Sequence, residues 1–172
     1  MKKKWVQVVR QTEQAFWTIV FSAHKQVGER GNILPARFNS RQKIRRFLER
    51  TMTPCLASRV IGNLDLRRIH GQLAIPIGGG IGAPPIVKSQ VLSEGPRCVT
   101  LAVWFQFDPS DRFFRVYQLR KRPDGRWIVF GRHPLDFPFN LPRDFRRRGP
   151  FAGCCTPCVG RRQRRKFCKK SW

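Results

Sequence analysis

Acidic residues are scarce in this sequence: 10 Asp and Glu stand against 35 Lys and Arg, a formal charge of +25. So few scattered carboxylates offer no recognisable pair for general acid and base work. Histidine is as sparse, and His24, His70 and His133 fall on different predicted elements, none beside a Ser or Cys and an acid in triad order. A catalytic centre is therefore not expected. Long apolar runs are also missing. The uncharged apolar run "QAFWTIVFSA" at 14–23 falls well short of the roughly 20 residues that a spanning helix needs, so no transmembrane segment is expected. No Gly-Lys-Ser/Thr follows the glycines of "IGGGIG" at 77–82, which excludes a P-loop. The "APP" after them gives no helix start for a dinucleotide turn.

Hydrophobic residues nevertheless make up 41% of the chain, with 14 Phe and 5 Trp, enough to build a packed interior within 172 residues. One domain over 1–142 and a basic tail over 143–172 are expected. Both parts are basic: the tail carries a net +10 of the +25, and residues 1–142 carry the remaining +15. Such a charge attracts nucleic acid, an acidic protein or an anionic membrane surface without choosing among them. "MKKK" has the sign of a signal-peptide start, but Arg10 and Glu13 interrupt the apolar residues after it, and Phe21 is too large for a small-residue cleavage pattern. Cytoplasm is thereby favoured over the cell envelope.

Apolar residues recur at three- and four-residue steps from Trp5 to Val27, which predicts an amphipathic helix ended by "GERGN". Ser40 is placed to cap a second helix over "RQKIRRFLERTM", and Thr53 with Pro54 to start a third over "PCLASRVIGNL". "LAIPIGGGIGAPPIV" at 73–87 is too rich in Gly and Pro for a helix and reads as a long loop, at most a broken edge strand. Strand patterns then succeed one another at 84–95, 97–108, 112–122 and 126–133, separated by the turn clusters "EGP", "DPSD" and "RPDGR". Helices first and an antiparallel meander afterwards is an α+β pattern: N-terminal helices packed on a curved antiparallel sheet. "PLDFPFNLP" at 134–142 suits an extended segment over the domain surface.

Two basic clusters are the candidate anion-binding residues. Arg120, Lys121, Arg122 and Arg126 surround the last hairpin turn, and Arg161, Arg162, Arg164, Arg165 and Lys166 lie in the tail run "RRQRRKFCKK". The hairpin charges form a functional patch only if other charges, those of Arg41, Arg45 and Arg46 or of the tail, join them. Cys154, Cys155, Cys158 and Cys168 are weak candidates for a zinc site: the one C-x2-C half is sound, but the second half is badly spaced, and disulfides or free thiols suit these cysteines as well. No other cofactor is expected.

The run "NSRQKIRRFLERTMTPCLASRVI", then "VKSQVLSEGPRCVTLAVWFQFD", then "FFRVYQLRKRPDGRWIVFGRH" resembles the nuclear transport factor 2-like (cystatin-like) superfamily, especially its small bacterial accessory domains, over about residues 10 to 133. The resemblance implies a helix pair in the concave face of a curved sheet and a final hairpin whose polar turn is followed by a Trp, as in "RPDGRWIVF". It also implies pairing into dimers. The superfamily includes enzymes such as ketosteroid isomerases, which need an acid beside a Tyr or a protonated acid in the cone. Here the chain's single Tyr, Tyr117, has no acid that can be placed beside it. A non-catalytic binding or assembly module is the resulting expectation, with a nucleic-acid-binding protein and a small enzyme with a pocket inside the cone as the alternatives.

Overall fold

The computed structural model describes residues 2–23, 25–27, 31–76 and 83–135. The chain divides into Met1–Pro138 and Phe139–Trp172, and every described residue belongs to the first unit. The tail candidates Arg161, Arg162, Arg164, Arg165, Lys166, Cys154, Cys155, Cys158 and Cys168 lie outside the described residues, as do His24, the "IGGGIG" run and the segment from 136 onward.

The fold is α+β. Helix α1 (Lys2–Ser22) leads into two short strands, β1 (Lys25–Val27) and β2 (Gly31–Ile33), then a 3-10 turn at Ala36–Phe38 and helices α2 (Arg41–Leu48) and α3 (Pro54–Asn63). Strands β3 (Arg67–Ile69) and β4 (Gln72–Pro76) join β1 and β2 in a four-stranded antiparallel sheet ordered β1-β2-β4-β3. A second antiparallel sheet is a plain meander of β5 (Ile86–Glu94), β6 (Cys98–Gln106), β7 (Arg112–Lys121) and β8 (Trp127–Leu135). Register shifts interrupt the β5–β6 and β7–β8 pairings, and irregularities of this kind bend a sheet locally.

Local chemistry accounts for most of these boundaries. Ser40 caps α2 by accepting from Lys43 N at 3.2 Å. Pro54 opens α3, where its missing N–H is not needed, while Thr53 stands at the N-cap with no side-chain cap bond. Gly125 adopts φ +81° in the β7–β8 turn, a conformation that glycine reaches without strain.

Three expectations are corrected. The first helix stops at Ser22 instead of running to Val27, because Lys25–Val27 pair with Gly31–Ile33 as β1. Helix α2 stops at Leu48, and the residues after it turn to meet the edge of β8: Val129 N donates to Thr51 O at 3.0 Å and Thr53 N to Val129 O at 2.9 Å. These bonds cover part of an otherwise open sheet edge. The start of the predicted loop at 73–87 is instead strand β4, which is interior to its sheet, with Leu73, Ala74 and Ile75 buried between β2 and β3. Pro76 is tolerated there as the last residue of the strand.

The core lies between the helices and one face of the meander. Trp5, Val9 and Ile19 of α1, Ile44 and Leu48 of α2, and Leu56, Val60 and Ile61 of α3 pack with Val99, Leu101, Val103, Phe105, Tyr117, Leu119 and Val129. This is the aliphatic and aromatic face that the alternation in β6 predicts. The middle of the opposite face is buried too, at Ala102, Trp104, Phe114 and Val116.

Candidate functional site

Two places in the described unit concentrate chemistry. The first is a carboxylate between α1 and the meander. Glu13 sits on the buried side of α1, and its two oxygens are engaged from the sheet: Tyr117 Oη donates to Oε1 at 2.8 Å, and Arg115 Nη1 donates to Oε2 at 3.1 Å. Arg132 adds Nη2 to Oε2 at 3.3 Å and holds Nε 3.0 Å from Oε1, an ion-pair contact too bent to be a hydrogen bond. Because β7 and β8 are adjacent and Tyr117 pairs with Arg132, the two strands aim a phenol and a guanidinium at one point.

Aromatic rings hold the guanidiniums in turn. Arg115 lies 5.4 Å from the Phe105 ring centre and 4.9 Å from that of Phe113, and Arg132 lies 5.8 Å from that of Phe16. Burial, then the negative charge of Glu13, push the Tyr117 phenol well above its ordinary range, so it stays a donor. Burial works against the charge on Arg132, but Glu13 outweighs it and the guanidinium is held more firmly protonated. The expectation that no acid stands beside Tyr117 is thus overturned. The two residues are 104 positions apart, and no local pattern in the sequence links them. The available signal was a lone acid on the inward stripe of an amphipathic helix, which buries Trp5, Val9, Thr12 and Ile19 as well.

The cluster commits Glu13 to three donors from the sheet. Oε2 accepts two hydrogen bonds and Oε1 accepts one, so three of about four lone-pair positions are used. The arrangement locks α1 to the meander.

Beside the cluster, α1 from Arg10 onward, the 3-10 turn and the start of β5 border an open cavity of about 660 Å³ lined by Arg10, Glu13, Trp17, Phe21, Arg37 and Phe105, among others.

The second place is the β7–β8 turn. Arg122 N donates to Arg126 O at 2.7 Å and closes the turn that carries Arg120, Lys121, Arg122 and Arg126. Lys121 N donates to Arg97 O at 2.8 Å, which brings the β5–β6 turn and its exposed Arg97 alongside. Lys121 also pairs with Trp127, whose ring centre lies 5.9 Å from Lys4 Nζ, so the start of α1 ends here as well. The four predicted hairpin cations, Lys4 and Arg97 therefore share one end of the meander, with the consecutive Arg120 and Lys121 on opposite faces of β7.

Asp124 partly offsets it, pairing with Arg126 at 2.8 Å and Arg122 at 3.6 Å. The Arg126 side-chain bond, then its backbone bond, hold the exposed Asp124 carboxyl below the usual range. Arg41 and Arg45 are engaged elsewhere: Arg41 donates to Leu66 O at 3.2 Å and Arg45 to Ser58 Oγ at 2.9 Å. Arg41 and Arg45 thus serve α3 and the loop after it, whereas Lys4 and Arg97, missed in the sequence, join the hairpin end.

Among the described residues no group of His, Cys, Asp and Glu could hold a metal ion, and no helix is long and apolar enough to cross a membrane. No protein-family model matches the chain, and no curated protein matches it.

Proposed function

We propose that this chain is a non-catalytic binding module of the nuclear transport factor 2-like kind, which engages an anionic macromolecular surface through the cationic end of its meander. The observation that carries the reading is how the charges are shared out: Glu13, which lines the cavity, is committed to Tyr117, Arg115 and Arg132. Arg120 and Lys121, by contrast, have no carboxylate partner among the described residues. Cations left without acids at the end of a strand, Lys121 exposed and Arg120 half-buried, attract phosphate or carboxylate at a distance. The aromatics at this end are turned inward, with Trp5 2% exposed and Trp127 half-buried beneath Lys4, which favours engagement by charge over stacking on bases.

The test is titration of the full chain, and of Arg120→Gln/Lys121→Gln, against duplex DNA, an acidic polypeptide and anionic vesicles over a salt series. Binding to at least one that weakens with salt and with the substitutions supports the reading. Binding indifferent to both refutes it.

A further inference from the structure

The cavity beside α1 is a second recognition site with a different chemistry from the cationic turn. One helix face lines it: Arg10, Glu13, Gln14, Trp17, Thr18 and Phe21 recur at three- and four-residue steps. Facing them are Ile86 and Phe105 of the meander, Pro84 and Pro85 before it, and Arg37 of the 3-10 turn. About 660 Å³ is within the range of small-molecule sites.

Three observations define the ligand that fits. First, the charge is positive. The negative charge of Glu13 is already met by Arg115 and Arg132, while neither Arg10 nor Arg37 has a carboxylate partner among the described residues; Arg10 donates only to the neutral Gln7 amide, at 3.2 Å. Second, Trp17 Nε1 is buried and has no hydrogen-bond partner among the described residues. A buried donor without an acceptor is costly and uncommon, and a ligand acceptor reaches this one only if the indole turns toward the cavity as the ligand packs on it. Third, the remaining lining is flat and apolar. Trp17 stacks on Phe21 with ring centres 5.3 Å apart and planes 21° apart, and Phe21 is 54% exposed. An exposed Phe on a stacked pair at a cavity mouth is a surface for another ring.

We propose that the cavity between α1 and the start of the meander binds a small aromatic carboxylate, its acid held by Arg10 and Arg37, its ring against Trp17, Phe21 and Phe105. A cation meets like charge there, and inorganic phosphate leaves the apolar wall uncovered.

The experiment uses the full chain with 15N-labelled indoles, titrated with 2-naphthoate and, separately, with 2-naphthylmethanol and inorganic phosphate. The Trp17 Nε1–H resonance is assigned by its loss in Trp17→Phe. Naphthoate is expected to move that resonance and to bind at least about tenfold more tightly than the alcohol, since a hydrogen bond to a charged group is worth that much or more. Arg10→Gln/Arg37→Gln should remove this preference. Both residues are exposed, so the fold should persist, which circular dichroism checks. Arg126→Gln at the hairpin turn should leave naphthoate binding unchanged, and this arm separates the cavity from the cationic end and its own reading. The proposal is overturned if naphthoate leaves the Trp17 resonance in place, if the alcohol or phosphate binds equally well, or if Arg126→Gln weakens binding as much as the paired substitution.

Discussion

Replacing Tyr117 by Phe removes one oxygen and keeps the ring. That oxygen donates to Glu13 Oε1 at 2.8 Å, and Tyr117 is fully buried. A hydrogen bond to a charged group contributes roughly 1.5–3 kcal/mol, and its removal leaves Glu13 with both arginines, so a loss of about 2 kcal/mol is expected. For a chain of this length that corresponds to a fall in Tm of about 4–8 °C.

Removing the acid should cost more. Glu13→Ala leaves the Arg115 and Arg132 side chains, 23% and 18% exposed, facing each other without a counter-charge. Breaking a buried pair in this way costs about 3–5 kcal/mol. Urea unfolding of the two single variants and of the double variant measures both effects, and the double should lose less than the sum of the singles because the removed groups touch.

A pH titration gives an independent reading. The chain has 1 Tyr, so tyrosinate absorbance reports Tyr117 alone. Its folded pKa is raised by burial and by Glu13. The unfolded chain then loses the phenolic proton first, and the stability that is present below about pH 10 falls as pH rises further, by at most about 1.4 kcal/mol per pH unit. Tyr117→Phe should lack this component. A Tyr117→Phe protein within about 0.5 kcal/mol of the parent, with tyrosinate in the folded parent appearing near pH 10, would refute a buried phenol–carboxylate bond.

Two further outcomes concern β8. A Cβ at Gly131 would run into the Gln118 side chain across the β7–β8 register shift, so Gly131→Ala should destabilise by about 1–3 kcal/mol in denaturant unfolding, and Gln118→Ala should rescue part of that loss. Burial, then Arg59, hold the His133 pKa below its ordinary value, so the unfolded chain takes up the imidazole proton before the folded one. Stability should therefore fall as pH drops below about 6.5, and His133→Gln should flatten that part of the pH–stability curve.

The elements that the sequence made legible are those governed by near neighbours. Strands β5 to β8 follow from side-chain alternation and turn chemistry between "EGP", "DPSD" and "PDG", and α2 and α3 from Ser40 and Pro54 at their starts. The departures come from distant pairing. Nothing before Gly28 marks a stop at Ser22, and the apolar period runs on through Ala23 and Val27; it is pairing with Gly31–Ile33 that turns 25–27 into a strand. Leu73–Ile75 look like the front of a Gly- and Pro-rich loop until β2 and β3 close on both sides. The same limit applies to function. The hairpin charges were visible as a cluster, but the share taken by Asp124 and the arrival of Lys4 and Arg97 depend on the fold. Glu13 reaches Tyr117 only when α1 crosses the meander.

The most direct test of the cationic end as a binding surface is the salt dependence of duplex DNA binding by the full chain and by Arg120→Gln/Lys121→Gln/Arg126→Gln. Each phosphate contact contributes about 0.9 to the slope of log affinity against log salt, so loss of these cations should reduce the slope by about 2–3 and weaken binding at low salt. An unchanged slope and affinity in the triple variant would contradict the assignment of this surface.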